Sequence, residues 1–169
     1  MYSHIISIRF NSRGARAILS ACTYYDISGL EKLDFKIVRY DGKYEKAVVD
    51  LWDKCDLLVP QNDPIEDIQR KTSFQPELLF IALLDGQLVG SAMVGYEGHR
   101  GWLNYLAVHP SFQRRGFGTK LVHKAIAELQ KLGCPKLNLQ VRKRNASVIG
   151  FYRHLGFKEE ERVSFGMRF

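Results

Sequence analysis

Apolar residues along this chain change their period from element to element. Phe35–Tyr40 alternates and predicts a strand, after which Tyr44, Ala47, Val48, Leu51, Trp52 and Cys55 recur at helical spacing and predict a helix with one apolar stripe. Asn62-Asp63-Pro64-Ile65-Glu66 reads as a second helix start, with Asp63 as cap, Pro64 in the first turn and Glu66 closing a capping box. Those structural tasks leave Asp63, Glu66 and Asp67 with little claim to a metal. Leu78–Leu84 and Gln87–Tyr96 read as strands joined by Asp85-Gly86, a tight-hairpin signal, and Glu97–Gly101 turns into a strand over Trp102–His109. Leu121, Val122, Ala125, Ile126, Leu129 and Leu132 mark the buried face of a helix stopped by Gly133 with Pro135 beyond. Lys136–Val141 then reads as a strand, Asn145 as the cap of a last helix, and Phe157–Arg162 and Val163–Phe169 as closing strands. Antiparallel strands followed by strand-helix-strand-helix predict a mixed α/β domain.

The first 32 residues differ in character. Residues 1–25 hold Arg9, Arg13 and Arg16, several serines and neither Asp nor Glu before Asp26, the composition of a transit leader. The preferred reading is an accessory element, a strand near His4–Phe10 and a short helix near Ala15–Cys22, ahead of a domain over residues 33–169. A leader or an appended segment is the alternative.

At 169 residues, 46% hydrophobic and 25% charged, the composition is that of one soluble globular domain. No apolar run nears the ~20 residues of a membrane-spanning helix. Cys22, Cys55 and Cys134 are scattered, which fits reduced thiols in the cytoplasm better than a disulfide framework or a metal site. The net charge of +7 raises nucleic acid as a partner, but the basic residues concentrate at Arg114-Arg115 and Arg142-Lys143-Arg144 without interleaved aromatics. A solvated face or a polyphosphate site accounts for them better.

The chemistry gathers in Gln113-Arg114-Arg115-Gly116-Phe117-Gly118. Its two glycines allow a tight turn and close backbone approach to a ligand, and a helix opening near Thr119 points N–H groups and the positive dipole end into the loop. With two arginines, the arrangement suits a phosphate or pyrophosphate; a plain glycine turn before a helix is the other reading.

Three motifs in order, Gln113-x-x-Gly116-x-Gly118, Asn145 through Tyr152, and Leu155-Gly156-Phe157, resemble those of the GNAT superfamily of acyl-CoA-dependent N-acetyltransferases. Within it, Trp52, Cys55-Asp56-Leu57-Leu58, Asn62-Asp63-Pro64 and Gly95–Gly101 resemble small bacterial acetyltransferases of the YpeA type. The resemblance spans about residues 34–169. It implies the GNAT fold, with two splayed parallel strands, here Trp102–His109 and Lys136–Val141. Acetyl-CoA would serve as co-substrate, with no metal. It implies main-chain contacts from Leu106 and Val108 to the pantetheine arm, and a pyrophosphate grip by Gln113, Arg114, Arg115, Gly116, Gly118 and Thr119. Asn145 would be a cap that also meets the cofactor, and Tyr152 the general acid. A packing role on the stripe Val148, Tyr152, Leu155 is the plainer alternative for that tyrosine.

The resemblance leaves the general base open. Asn104 and Gln140 stand where relatives carry carboxylates, and amides are poor bases. Glu97, His99 and Tyr105 are the remaining candidates. The expected function is transfer of acetyl from acetyl-CoA to a primary amine of a small molecule or protein, without nucleic acid or membrane and compatible with a homodimer. The alternative is a non-catalytic acyl-CoA-binding module.

Overall fold

A computed structural model describes residues 16–19, 23–26 and 31–168, with backbone alone up to residue 32. They fall into two compact units, divided between Asn138 and Leu139.

In the first unit, strands β1 (Arg16–Leu19), β2 (Thr23–Asp26) and β3 (Glu31–Leu33) make an antiparallel three-stranded sheet. Arg16–Leu19 is therefore a strand and not the expected helix: Thr23-Tyr24-Tyr25 supplies a β-prone partner across a short turn, which outweighs the weak helical preference of the Ala15–Cys22 stretch. The strand expected near His4–Phe10 lies outside the described residues.

The main sheet has the order β4-β5-β6-β7-β8, from β4 (Phe35–Arg39), β5 (Leu79–Leu84), β6 (Gln87–Tyr96), β7 (Gly101–Val108) and β8 (Leu137–Leu139). Strands β4 to β7 are antiparallel neighbours. β8 is reached from β7 through the helical crossover α3 (Phe117–Lys131). Asp85 and Gly86 both adopt positive φ, 50° and 78°, which is the mirror-image turn that Asp-Gly foretells between β5 and β6.

Both faces of this sheet are covered. Val48, Leu51 and Trp52 from α1 (Glu45–Lys54) and Ile68 from α2 (Pro64–Phe74) pack with Leu79, Ile81, Leu83, Met93 and Ala107 on one face. Helix α3 covers the other, so closely that a Cβ at Gly101 would stand 2.6 Å from Leu129 and one at Gly90 2.9 Å from Leu121. With both faces covered, β5 is buried along its whole length, in keeping with its unbroken apolar run. Asp63 caps α2 as its sequence predicts, accepting from Ile65 N and Glu66 N at 2.8 and 3.2 Å. Glu66 does not close the box; its carboxylate turns outward to Arg70, one helical turn on.

In the second unit, α4 (Ala146–His154) opens on Asn145, whose Oδ1 accepts from Val148 N at 3.2 Å. The two expected closing strands are absent: residues 155–168 form no helix or strand. Val163, Phe165 and Met167 keep their alternation but are 79–91% exposed. Alternation specifies two faces of a strand but not the neighbour whose ladder would hold it. β8 is likewise shorter than the Lys136–Val141 run.

One buried group stands out. Lys71 on α2 is 9% exposed, and its Nζ donates to the Gln75 Oε1 at 3.2 Å. Burial brings this amine down to about 8, with Glu77 opposing the shift. The unfolded value is near ~10.4, so below pH 8 the folded chain carries a desolvated charge, and the associated cost fades as pH rises toward ~10. Lys71→Met removes that charge, while Gln75 Oε1 keeps its bond from Tyr96 N. The variant should melt about 2–6 °C higher at pH 7, with the gap narrowing by pH 10; calorimetry at both pH values checks it.

Candidate active site

Strand β7 carries a bulge. Met93 pairs with Asn104 and Ser91 with Ala107, so two steps along β6 meet three along β7, and Tyr105 and Leu106 hold the surplus. Tyr105 adopts φ 46°, a left-handed conformation that a bulky aromatic residue rarely takes. Its ring stacks on Trp52 at a centroid distance of 4.0 Å. Its carbonyl accepts from Ser91 Oγ at 3.2 Å, and that hydroxyl oxygen accepts from Trp52 Nε1 at 2.8 Å. Its phenol donates to Asp67 Oδ2 at 2.7 Å and also bonds the Asn62 side chain. Burial first, and then the bond to Asp67, push the phenol above its usual value.

Beyond the bulge, Asn104 is exposed and Trp102 is 37% exposed. They pair with Met93 and Gly95, which face α1 and α2: Met93 joins that helix-side core and Gly95 lies against Gln75. Trp102, Asn104 and Tyr105 therefore share the α2 side of the sheet.

Glu97 and His99 lie past the Tyr96–Gly101 pair, at the far end of the hairpin. The Glu97 carboxylate accepts from His99 N at 2.8 Å and Arg100 N at 2.7 Å, which shapes the turn. Of the candidate bases only Tyr105 sits in a built cluster.

The glycine loop follows directly from β7. Val108 O accepts from Gln113 Nε2 at 3.0 Å and from Cys55 Sγ at 3.4 Å, so Gln113 folds its side chain back onto the strand end. Burial pushes the Cys55 thiol up, which keeps it a donor. Arg114 and Gly116 take φ 62° and 80°, two left-handed residues flanking Arg115, whose guanidinium lies over the Phe112 ring at 5.2 Å. Closely spaced left-handed residues are a feature of the backbone nests in which N–H groups converge on an anion. α3 begins at Phe117 with neither a side-chain cap nor an acidic residue in its first turn. Its first intrahelical bond runs from Lys120 N to Gly116 O, so the N–H groups of Gly118 and Thr119 precede the ladder. Phe117 anchors the helix start, stacked on Phe35 at 4.7 Å.

In the second unit, Tyr152 is buried with its ring edge-on to Phe151 and Phe157 at 5.0 and 5.4 Å. Burial pushes its phenol up, and its hydroxyl makes no hydrogen bond among the described residues. Asn145 does the capping expected of it, while Arg142, Lys143 and Arg144 are exposed.

Asp67, Asn62 and Ser91 are the members of this cluster that sequence reasoning missed. Asp67 reads as one more acid in a helix's first turn, and no local pattern ties it to a tyrosine 38 residues on. Among the described residues no cluster of His, Cys, Asp and Glu suits a metal ion, and no helix is long and apolar enough to cross a membrane.

Residues 46–157 match the model of the Acetyltransferase (GNAT) family. The chain is 47% identical over 123 residues to acetyltransferase YE1169 of Yersinia enterocolitica, covering 73% of this chain and 87% of the relative. It is 43% identical over 136 residues to acetyltransferase ECA0875 of Pectobacterium atrosepticum, covering 80% and 95%. Its fold is similar to that of aminoglycoside N-acetyltransferase AAC(6')-Iy in complex with CoA, with a TM-score of 0.68 at 22% identity and coverage of 82% and 97%. The ribosomal-protein-S18-alanine N-acetyltransferase of Escherichia coli is similar at a TM-score of 0.64 and 26% identity, over 75% and 79%. With the match spanning the bulged strand, the loop and the tyrosine helix, this chain belongs to the GNAT family of acetyltransferases.

Proposed function

We infer that the protein transfers the acetyl group of acetyl-CoA to a primary amine by direct attack, and that the loop after β7 grips the pyrophosphate. The observation that carries the reading is the left-handed pair Arg114 and Gly116 at the uncapped start of α3. That geometry offers converging N–H groups and an uncompensated positive dipole end, which suit a doubly charged pyrophosphate. Gly118 and Thr119 supply N–H groups, Arg114 and Arg115 supply charge, and Gln113 works indirectly by fixing the loop to Val108. Leu106 and Val108 offer main-chain groups to the pantetheine arm, and Asn145 meets the cofactor beside its capping task. A structural neighbour of the same fold holds CoA, in support of this assignment.

In the reaction a neutral amine nitrogen attacks the thioester carbonyl, the N–C bond forms, the C–S bond breaks, and the departing sulfur needs a proton. Tyr152 is suited to give it: burial keeps the phenol protonated at neutral pH, and its hydroxyl is not committed to another described residue. Thiol release with a panel of amines tests the function. Acetyl-CoA binding without thiol release for any amine would instead favour a non-catalytic binding module.

Two substitutions test the site. Gly116→Val places a β-branched residue at φ 80° and moves the N–H groups of the nest. It should weaken acetyl-CoA binding by ~10-fold or more in titration calorimetry, each factor of ten being ~1.4 kcal/mol. The core residues Leu121, Val122 and Ala125 below it should keep α3 folded. Unchanged affinity in a folded variant refutes the loop assignment. Tyr152→Phe keeps the ring contacts and removes one hydroxyl; turnover should fall ~10²–10⁴-fold with acetyl-CoA affinity nearly intact. Loss of melting temperature with normal turnover would make the residue a packing tyrosine.

A further inference from the structure

The attacking amine must shed a proton, which needs an acceptor in the site. The cluster at the β7 bulge holds one. Three independent features aim the Tyr105 phenol: the left-handed backbone at φ 46°, the stack on Trp52, and the 2.7 Å bond to Asp67 Oδ2. A strained residue held by this many partners is the mark of a position built for a task. Tyr105 is half-buried, and Trp102 and Asn104 on the same side of the sheet are exposed. Asp67 lies behind it on α2, with its other oxygen, Oδ1, held by Arg70 at 3.0 Å.

We propose that the acceptor's proton leaves through Tyr105 to Asp67, so that Asp67 on α2 is the carboxylate this site otherwise lacks. The proposal rests on the acetyltransferase reading above. The substrate arrives as an ammonium ion over Trp102 and Asn104. One of its protons passes to Tyr105 Oη as the phenol's own proton shifts along the hydrogen bond to Asp67 Oδ2, and from there exchanges into water. The neutral nitrogen then attacks the thioester. The second proton, lost as the nitrogen becomes an amide, returns to the Tyr152 oxygen after that phenol has protonated the sulfur, so Tyr152 ends neutral. Tyr105 stays a neutral phenol before and after transfer, which its raised pKa favours. Tyr105 touches the substrate, whereas Asp67 is a positioning residue that acts through it. Asp67 is bonded by Tyr105 from β7 and Arg70 on its own helix, Asn62 from the segment before α2 bonds the same phenol, and Lys71, one turn further, bonds Gln75 instead.

The test uses the whole chain with acetyl-CoA and whichever amine the wild type acetylates fastest. Asp67→Asn keeps a hydrogen-bond acceptor for the phenol but takes no proton. It should lower kcat ~10²–10⁴-fold with unchanged acetyl-CoA affinity, and should flatten the acidic limb of the pH–rate profile. Tyr105→Phe, which keeps the Trp52 stack, should fall by a similar factor. The double variant should fall little further, because the two act as one path. Glu97→Gln should behave as wild type. A purely structural tie between α2 and the sheet predicts lower melting temperatures with a normal pH profile, and that result overturns the proposal. So does a Glu97→Gln variant that alone loses turnover. Should Asp67→Asn unfold, Tyr105→Phe decides alone, and an intact pH–rate profile in it overturns the relay. A wild type that binds acetyl-CoA yet acetylates no amine refutes the transferase reading itself, which is a distinct failure.

Discussion

The geometry of the main unit depends on the way Trp52, Ser91 and Tyr105 lock the bulge in β7. A left-handed conformation costs an aromatic residue about 1–2 kcal/mol, and nothing in the local sequence offsets it. The offset comes from three elements at once. α1 contributes the Trp52 ring face, worth about 0.5–1.5 kcal/mol as an aromatic pair beyond its buried area. β6 contributes the Ser91 hydroxyl, which accepts a hydrogen bond from the indole N–H and donates one to the Tyr105 carbonyl. α2 contributes Asp67. Both Trp52 and Ser91 are fully buried, so removing either partner strands a polar group that has no water to turn to. The bulge therefore fixes both helices on that face relative to the strand that leads into the loop.

The loop inherits its position from the other face. Gly90 and Gly101 allow Leu121 and Leu129 to approach the sheet closely, and the Phe117–Phe35 stack seats the first turn of α3. At the same point Gln113 and Cys55 converge on the Val108 carbonyl. The nest is thus tied at both ends, by packing under the helix and by hydrogen bonds to the strand. Such ties keep its N–H groups aimed before any ligand arrives, which is where binding energy is otherwise lost to ordering.

Local signals were legible in the sequence, and relational ones were not. The Asp63 cap, the Asp85-Gly86 turn, the Gly133 stop and the apolar stripes of α1 and α3 all depend on residues within a few positions of one another. The turn before α3 was legible for the same reason, although its left-handed residues proved to be Arg114 and Gly116, with Gly118 already in the helix. Glu66 shows the limit even at short range: a capping-box spacing permits the bond, but Arg70 one turn on competes for the same carboxylate and wins. Val163, Phe165 and Met167 show it again, because their alternation is real and yet no ladder among the described residues holds them. The bulge was invisible. A run of Leu103 to Val108 reads as a plain strand, and only the unequal spacing of its partners on β6 reveals the extra residue.

That extra residue decides which side of the sheet Tyr105 faces. In a regular strand, residues 104 and 105 would point to opposite faces, so a tyrosine following Asn104 would lie on the α3 side. The bulge turns Tyr105 onto the side already occupied by α1 and α2, where Asp67 waits on a different element. A change of one register position thereby converts two unremarkable residues, a strand tyrosine and a helix acid, into a phenol–carboxylate pair. The left-handed turn at Tyr105 and the placement of the acid are thus one structural feature, because the bond to Asp67 forms only where the bulge directs the phenol.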